Sequence, residues 1–504
     1  MKLIKLAPIA AAIMSMPAFA AAPAANITIY AAGASAQLGS ISGIMTSMCK
    51  PNVGTTQQIE FYQGFGTSTG ASSTTSNSNL RAFRCDLAST DPQLVGKKVL
   101  FVYSAIDGSA SGVQFVARGL PRQFIKFESC PSAPSVASTP ATSIATVPTG
   151  SKQFNCNGTG AGATSAVTTE AQVPIAGASD VEPSVFVGSN VPAGQTDVGA
   201  ADLANLKVNG SRAVIFGVIA NKAMWSALLN NPNPTMPVTT AVSSTNGLTN
   251  TGTVVNNVPF NETQRPTIAK WQYRAIAQGN LNDMAFLTAN DGTAGTAGPL
   301  KLARRVDGSG TQAVSNIFFL NNPCGIALGA FLPPANASFS GGNFTVTEGS
   351  GTGDVLKVIQ DATTPALGVV SLENPERGAY TLNAIGTADT TPKQAIGFLK
   401  IDGVTPNRAN AISGAYDFYG EETFQWNTNA VTSGSDKEAF LTAFVATSGQ
   451  IATLQSLSAA TQAGSAALSA YNGGSAITPT INQTWVLKAD RNGNNCAPAT
   501  RIIE

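Results

Sequence analysis

Short apolar runs alternate along the chain with segments whose apolar residues recur at helical spacing. Ile27–Tyr30 and Val99–Tyr103 have the length and composition of buried strands. Asp436–Ser448 repeats its apolar residues every three or four positions, as one face of a helix does. Ala213–Ile219 is almost continuously apolar, which favours a strand covered on both faces, as in a parallel sheet. The alternation predicts an α/β fold with mainly parallel sheets.

Three of the predicted strands lead through a loop of small and polar residues into a predicted helix. The loops lie near residues 33–36, 107–112 and 305–311. Ligands of open α/β sheets bind at the carboxyl ends of strands, and the free N–H groups of a helix start attract anions. The candidate donors in these loops are Ser35 (at a predicted N-cap), Ser109, Ser309, Thr311 and Arg305. The alternative interpretation is that these serines only cap helices and that Arg305 is a surface residue.

Length and composition narrow the choice of function. A chain of 504 residues favours two lobes, and the polar segments 131–172 and 232–259 are typical of excursions from a core. The net charge of +1 indicates no nucleic-acid partner. The chain contains no histidine, which excludes Ser-His-Asp and Cys-His catalysis and the commonest zinc sites. We therefore predict a binding protein without catalysis, cofactor or metal.

The N-terminus has the pattern of a secretion signal over residues 1–20. Lys2 and Lys5 precede an apolar run too short to span a bilayer, and Ala18-Phe19-Ala20 resembles a cleavage site. No other stretch approaches transmembrane length, so no membrane span is predicted. These features predict a bacterial protein of the periplasm or the outside medium.

Six cysteines in an exported chain favour disulfides over a metal site, because there is no C-x-x-C motif. Six cysteines allow 15 pairings, and spacing alone does not choose among them. We favour the pairing in chain order: Cys49–Cys85, Cys130–Cys156 and Cys324–Cys496.

Four short motifs, in the same order along the chain, resemble those of one family. Arg304–Thr311 (RRVDGSGT) is similar to the R-x-D-G-S-G-T loop of type II periplasmic solute-binding proteins, and most closely of the phosphate-binding subunit of phosphate ABC transporters. The other three matches are Ala32–Ser35 (AGAS), Gly108–Val113 (GSASGV) and Gly177–Asp180 (GASD). The resemblance covers most of the mature chain, with long insertions. It implies two α/β lobes joined by a hinge, with residues 26–221 and 419–504 in lobe 1 and residues 222–418 in lobe 2.

The resemblance also implies a role for each loop residue. The donors to phosphate oxygens would be Ser35, Ala36 (through its N–H), Ser109, Ser309, Gly310 and Thr311, and Arg305 would pair with the charge. Asp180 would accept a hydrogen bond from the protonated oxygen of hydrogen phosphate, which sulfate lacks. Asp307 would hold Arg305 in place. Ala36 departs from the family, which has an aromatic residue there, and so implies a more open cleft.

In an alternative alignment with the same family, Thr67 and Asp91 take the ligand positions that Ser109 and Asp180 take in the first alignment. We prefer Ser109 and Asp180, because a helix follows Gly108–Gly112 whereas a polar tract follows Thr67. The predicted function is capture of an oxyanion, phosphate by the resemblance, for uptake through an ABC permease or for scavenging. Two alternatives stay open: a secreted surface or matrix protein that reuses the fold, and a phosphatase-like hydrolase.

Overall fold

The computed structural model describes most of the chain outside its N-terminus and the polar excursions. The described residues are 23–53, 58–64, 80–130, 135–136, 151–156, 169–237, 249–250, 261–325, 337–338, 343–378, 380–384, 387–468 and 484–501. The predicted signal sequence, Thr67 and most of segments 131–172 and 232–259 lie outside the described residues.

Strands and helices alternate along the chain, as the hydrophobic pattern predicts. The strands are β1 Ile27–Gly33, β2 Ile59–Gly64, β3 Leu80–Asp86, β4 Lys98–Ser104, β5 Arg122–Ile125, β6 Ser135–Val136, β7 Lys152–Asn155, β8 Thr169–Gln172, β9 Ala176–Ser179, β10 Leu206–Asn221, β11 Thr249–Asn250, β12 Thr267–Ile268, β13 Leu300–Arg305, β14 Ala337–Ser338, β15 Phe344–Gly349, β16 Ala366–Ser371, β17 Tyr380–Ala384, β18 Thr387–Lys393, β19 Ile396–Phe398, β20 Lys400–Ile401, β21 Tyr419–Asn427, β22 Ser465–Ala467, β23 Ala489–Asp490 and β24 Thr500–Arg501. The α-helices are α1 Leu38–Met48, α2 Gly108–Ala110, α3 Val116–Arg118, α4 Ala200–Ala204, α5 Lys222–Leu229, α6 Lys270–Ala277, α7 Gly310–Ser315, α8 Thr352–Asp361, α9 Arg408–Ser413, α10 Asp436–Ser448, α11 Ile451–Ser456 and α12 Ala459–Ala463. A turn of π-helix joins α2 to α3, and another extends α7 to Leu320.

Fifteen of the strands form one mixed sheet with two halves. Its main path runs β14-β15-β13-β16-β10-β21-β9-β1-β4-β3-β2-β7-β6. Each half has a parallel triplet at its centre, β9-β1-β4 in one and β15-β13-β16 in the other, and antiparallel strands flank both triplets. The predicted α/β class and the parallel strands behind the three loops are therefore confirmed.

Two long strands, β10 and β21, connect the halves. β10 pairs with β21 over Leu206–Ile215 and then with β16 over Phe216–Ala220. Both pairings are antiparallel, so the parallel environment expected for Ala213–Ile219 is wrong. The apolar run reflects burial on both faces, which a central strand has whatever the direction of its neighbours. The predicted lobe boundaries stay a prediction.

The three predicted disulfides are confirmed as Cys49–Cys85, Cys130–Cys156 and Cys324–Cys496. Cys324–Cys496 closes 172 residues and ties the chain after α7 to the C-terminal tail. That tail lies against the connecting strand β21, where Asn495 Oδ1 accepts a hydrogen bond from Glu421 N (2.9 Å). Among the described residues, no helix has the length and apolar character needed to cross a membrane.

Candidate functional site

The loops that follow β4 and β13 hydrogen bond to each other where the two halves of the sheet meet. Ala110 N donates to Gly308 O (2.9 Å), and Gly310 N donates to Ser109 Oγ (3.1 Å). Gly310 permits this approach, because a Cβ there would lie 2.3 Å from Ser109 Oγ. The carboxyl ends of the two parallel triplets therefore face one another, which is where ligands of such sheets bind.

Ser35 and Ser109 are not helix caps, contrary to the alternative interpretation. Ala34 occupies the N-cap of the short 3₁₀ turn that precedes α1, so the predicted N-cap position of Ser35 is wrong by one residue. Ser35 Oγ instead accepts a hydrogen bond from Arg305 Nη1 (3.4 Å), across the junction. Ser309 does cap its helix, with Oγ accepting from Gln312 N (3.4 Å), and its own hydroxyl proton is still free to donate.

The neighbouring arginines of β13 have opposite environments. Arg304 pairs with two carboxylates, Asp307 (3.0 Å) and Glu348. Arg305, 2% exposed, makes no salt bridge to any described residue and donates instead to Ser350 O (2.8 Å) and a threonine hydroxyl in α8. The expectation that Asp307 holds Arg305 is therefore wrong. Successive side chains of a strand point to opposite faces, so Asp307 reaches only Arg304.

Asp180 follows β9 and lies in contact with Ser109. Gly177 lets the helix of Ser109 pack directly on β9, since a Cβ at Gly177 would lie 1.9 Å from Gly112 O. Ser109 Oγ donates to Asp180 Oδ2 (3.4 Å). Burial raises the pKa of Asp180 to about 6, against the lowering effects of Arg305 and other neighbours. In the second alignment, Asp91 is exposed in a turn where its carboxylate accepts from Gln93 N (2.8 Å).

Three buried polar atoms around Asp180 make no full hydrogen bond within the described residues, although the Gln37 side chain is a hydrogen-bonding neighbour that lowers the pKa of Asp180. They are Asp180 Oδ1, Arg305 Nε and Gln37 Nε2. Both Arg305 and Gln37 lie close enough to Asp180 to lower the pKa of its carboxyl group. An unpaired buried polar group costs about 1–3 kcal/mol, so three near one another require a physical explanation, which a polar ligand would supply. Sequence reasoning missed Gln37, because it belongs to no motif. The one feature that could have pointed to it is its polar side chain at the start of an otherwise apolar helix.

The other predicted ligand residues are buried close to these groups. Ala36 is 7% exposed within its 3₁₀ turn, and Thr311 is 2% exposed in the first turn of α7. Ala36 is packed rather than exposed, and the more open cleft expected at this position stays a prediction.

A second buried group of charges lies behind Asp180. Arg212 on β10 binds Glu422 on β21 in a bidentate pair through Nε and Nη2, and Glu373, which follows β16, approaches the same arginine (4.0 Å). Burial raises the pKa of Glu373 to about 8 and that of Glu422 to about 7. Burial is the main cause of both shifts, and Arg212 opposes it by lowering both pKa values. No group of three His, Cys, Asp or Glu side chains suited to a metal ion occurs among the described residues.

No family model and no curated protein matches the chain. Several solved structures do. One, described as a phosphate ABC transporter substrate-binding protein from Clostridium perfringens with bound phosphate, is 12% identical over 83% of this chain and 93% of its own, with a TM-score of 0.38. PstS from Borrelia burgdorferi is 8% identical over 83% of this chain and 92% of its own, with a TM-score of 0.31.

An ABC-type phosphate transport receptor from Vibrio cholerae is 11% identical over 54% of this chain and 74% of its own, with a TM-score of 0.27. The structure by itself shows an α/β fold built on one mixed sheet with two halves. With TM-scores this low, the likeness identifies neither a ligand nor a function for this chain.

We expect Gly310→Ala to destabilise the protein by about 1–3 kcal/mol, because overpacking of a close contact forces neighbouring groups apart. The new methyl group would lie 2.5 Å from Asp180 Oδ2 and 2.7 Å from Asp180 Cβ, so rotation of a single side chain cannot accommodate it. Urea unfolding measures the loss. Gly199→Ala is the matched control, since no atom lies within 4 Å of a Cβ there. Equal stability of the two variants would contradict the close approach.

Proposed function

We propose that this chain is an exported solute-binding protein that captures an oxyanion, phosphate in particular, between the two halves of its sheet. The observation that carries the proposal is the group of three buried atoms that make no full hydrogen bond within the described residues: two donors, Arg305 Nε and Gln37 Nε2, and one acceptor, Asp180 Oδ1. The only charged donor among them, Arg305, has no carboxylate partner among the described residues, so an anion would supply the missing charge.

The same three atoms favour a protonated oxyanion over a fully deprotonated one. Hydrogen phosphate offers oxygens to Arg305 and Gln37 and a P–OH proton to Asp180 Oδ1. Sulfate offers oxygens only, so the ionised Asp180 would repel it. Further donors in this proposal are the loop groups of Ser35, Ala36, Ser109, Ser309, Gly310 and Thr311.

Export and delivery belong to the same proposal. The predicted signal sequence and three disulfides support a location in the periplasm or outside the cell. We propose that residues 26–221 with 419–504 and residues 222–418 move as two lobes that close over the ligand, which an ABC permease would then receive. We assign the chain no catalytic role.

Isothermal titration with phosphate and with sulfate tests the proposal, and Asp180 makes the result pH-dependent. At neutral pH we expect heat with phosphate and much weaker binding of sulfate. Below a pH of about 6, Asp180 carries a proton and becomes a donor, so it ceases to repel sulfate. We therefore expect sulfate affinity to rise about tenfold between about pH 7 and pH 5.

Sulfate is the better probe of this effect because it stays a dianion over that range. Asp180→Asn, which cannot ionise, should bind sulfate with the same affinity at both pH values. Absence of phosphate heat at neutral pH, or equal affinity for both anions there, would contradict the proposed function. A flat sulfate profile in the unmodified protein would reject the role of Asp180 alone.

One observation favours the second candidate, a secreted surface protein that reuses the fold. Gly310 N and Ala110 N are already satisfied by Ser109 Oγ and Gly308 O, so the loops bind each other directly. A bound anion would have to replace at least the Ser109–Gly310 contact. Recovery of most of the protein at the cell surface, together with no phosphate binding, would support this candidate.

A further inference from the structure

We infer that the first turn of α8, and not Asp307, positions Arg305 for anion binding, with Thr352 as the positioning residue. This inference rests on the proposed function. Thr352 Oγ1 accepts a hydrogen bond from Arg305 Nη1 (3.1 Å), and Ser350 O accepts one from Arg305 Nη2 (2.8 Å). Neither residue belongs to a motif that the sequence assigned to the site.

The register of the sheet places this turn beside the arginine. β13 and β15 are parallel, and Arg305 is paired with Gly349, the last residue of β15. The chain that leaves β15 therefore passes alongside the Arg305 side chain before it enters α8. One residue earlier, Arg304 is paired with Glu348, which explains why these two form a salt bridge on the other face.

The turn is held in place before any ligand binds. Asp354 Oδ2 accepts hydrogen bonds from Gly351 N (2.9 Å) and Ser350 Oγ (2.7 Å), which closes the start of α8. Gly349 allows the helix to approach, because a Cβ there would lie 2.9 Å from Asp354 Cβ. The groups that orient Arg305 are thus rigid, which reduces the entropy that binding has to remove.

The chemistry of these anchors suits an anion site. A carbonyl and a hydroxyl orient the guanidinium but carry no net charge, so they form no salt bridge with it, and Asp180 and Asp354 act on it only from a longer distance. A carboxylate in their place would compete with the ligand for the same donors. Arg304 shows the contrast, since Asp307 and Glu348 satisfy its charge within the protein.

Titration of inorganic phosphate into four variants tests the inference. Thr352→Val removes the acceptor and keeps the shape, and we expect about tenfold weaker binding, as for the loss of one hydrogen bond to a charged group. Thr352→Ser keeps the hydroxyl and should restore affinity to within about threefold of the unmodified protein. Thr347→Val, the same substitution on β15, is the matched control and should leave affinity unchanged. Asp307→Asn should also change affinity by less than about twofold, because its partner is Arg304.

The outcomes separate the inference from the proposed function. Loss with valine, rescue with serine and no loss in Asp307→Asn would support Thr352 as the positioning residue. Unchanged affinity in Thr352→Val, or an equal loss in Asp307→Asn, would overturn the inference while phosphate binding itself stood. Absence of phosphate binding in the unmodified protein would overturn the proposed function, and the positioning role with it. Circular dichroism of each variant confirms that it is folded.

Discussion

Arg305→Ala is expected to weaken phosphate binding by about two to three orders of magnitude. Removal of one partner from a buried, hydrogen-bonded charge pair costs about 3–5 kcal/mol, and each 1.4 kcal/mol corresponds to about a factor of ten in affinity. Arg305 is buried and is the one arginine of β13 that makes no salt bridge to a described carboxylate. The proposed anion would therefore lose its principal charged partner.

Calorimetric titration with phosphate measures this loss, with the adjacent arginine as the matched control. Arg304→Gln removes the same charge one residue earlier, where Asp307 and Glu348 bind it. We expect that variant to lose stability and to keep its phosphate affinity within about threefold. Arg305→Lys should bind at an intermediate level, since an ammonium keeps the charge but not the planar pair of donors. A folded Arg305→Ala protein with unchanged affinity would reject the site assignment.

Serine at both Cys324 and Cys496 is expected to lower the free energy of unfolding by about 5 kcal/mol. In the chain-entropy description, a disulfide stabilises by restricting the unfolded chain, and the effect grows with the length of the closed loop. This bond closes 172 residues. It also ties α7 to the tail. In the tail, Asn495 N donates to Oε1 of Glu182 (3.0 Å), a residue that lies two positions after Asp180.

The position of this disulfide adds a kinetic expectation. The half of the sheet with Arg305 is linked by this bond to the C-terminal tail, and the tail contacts the half with Asp180. Removal of the bond should therefore let the two halves separate more readily, which should speed phosphate release. Urea unfolding and stopped-flow release measure the two effects. The matched control is serine at Cys49 and Cys85, which closes 36 residues within one half. We expect the free energy of unfolding of that variant to fall by about 4 kcal/mol and its rate of phosphate release to stay unchanged. Equal release rates in both double variants would contradict the kinetic expectation.

Much of the fold could be predicted because burial leaves a direct pattern in a sequence. The helix Asp436–Ser448 begins and ends where its periodicity does. The strands before the first two loops were expected from their apolar runs, and the strand Leu300–Arg305 from its alternation of apolar and polar residues. The direction of neighbouring strands could not be predicted in the same way. Ala213–Ile219 is apolar because both of its faces are covered, and an antiparallel neighbour covers a face as well as a parallel one does.

The candidate site divides along the same line. Sequence by itself determined the local features of the site: glycines that allow close approach of the backbone, hydroxyl groups at the strand ends, and the Arg-Arg pair before Asp307. These are properties of short segments, so composition and spacing reveal them. Tertiary structure alone decided which of the two arginines makes no salt bridge within the described residues, that Thr352 and Ser350 orient it, and that Gln37 lies near Asp180. Those partners are distant in sequence and meet only through strand register and the packing of the two halves, which no local pattern encodes.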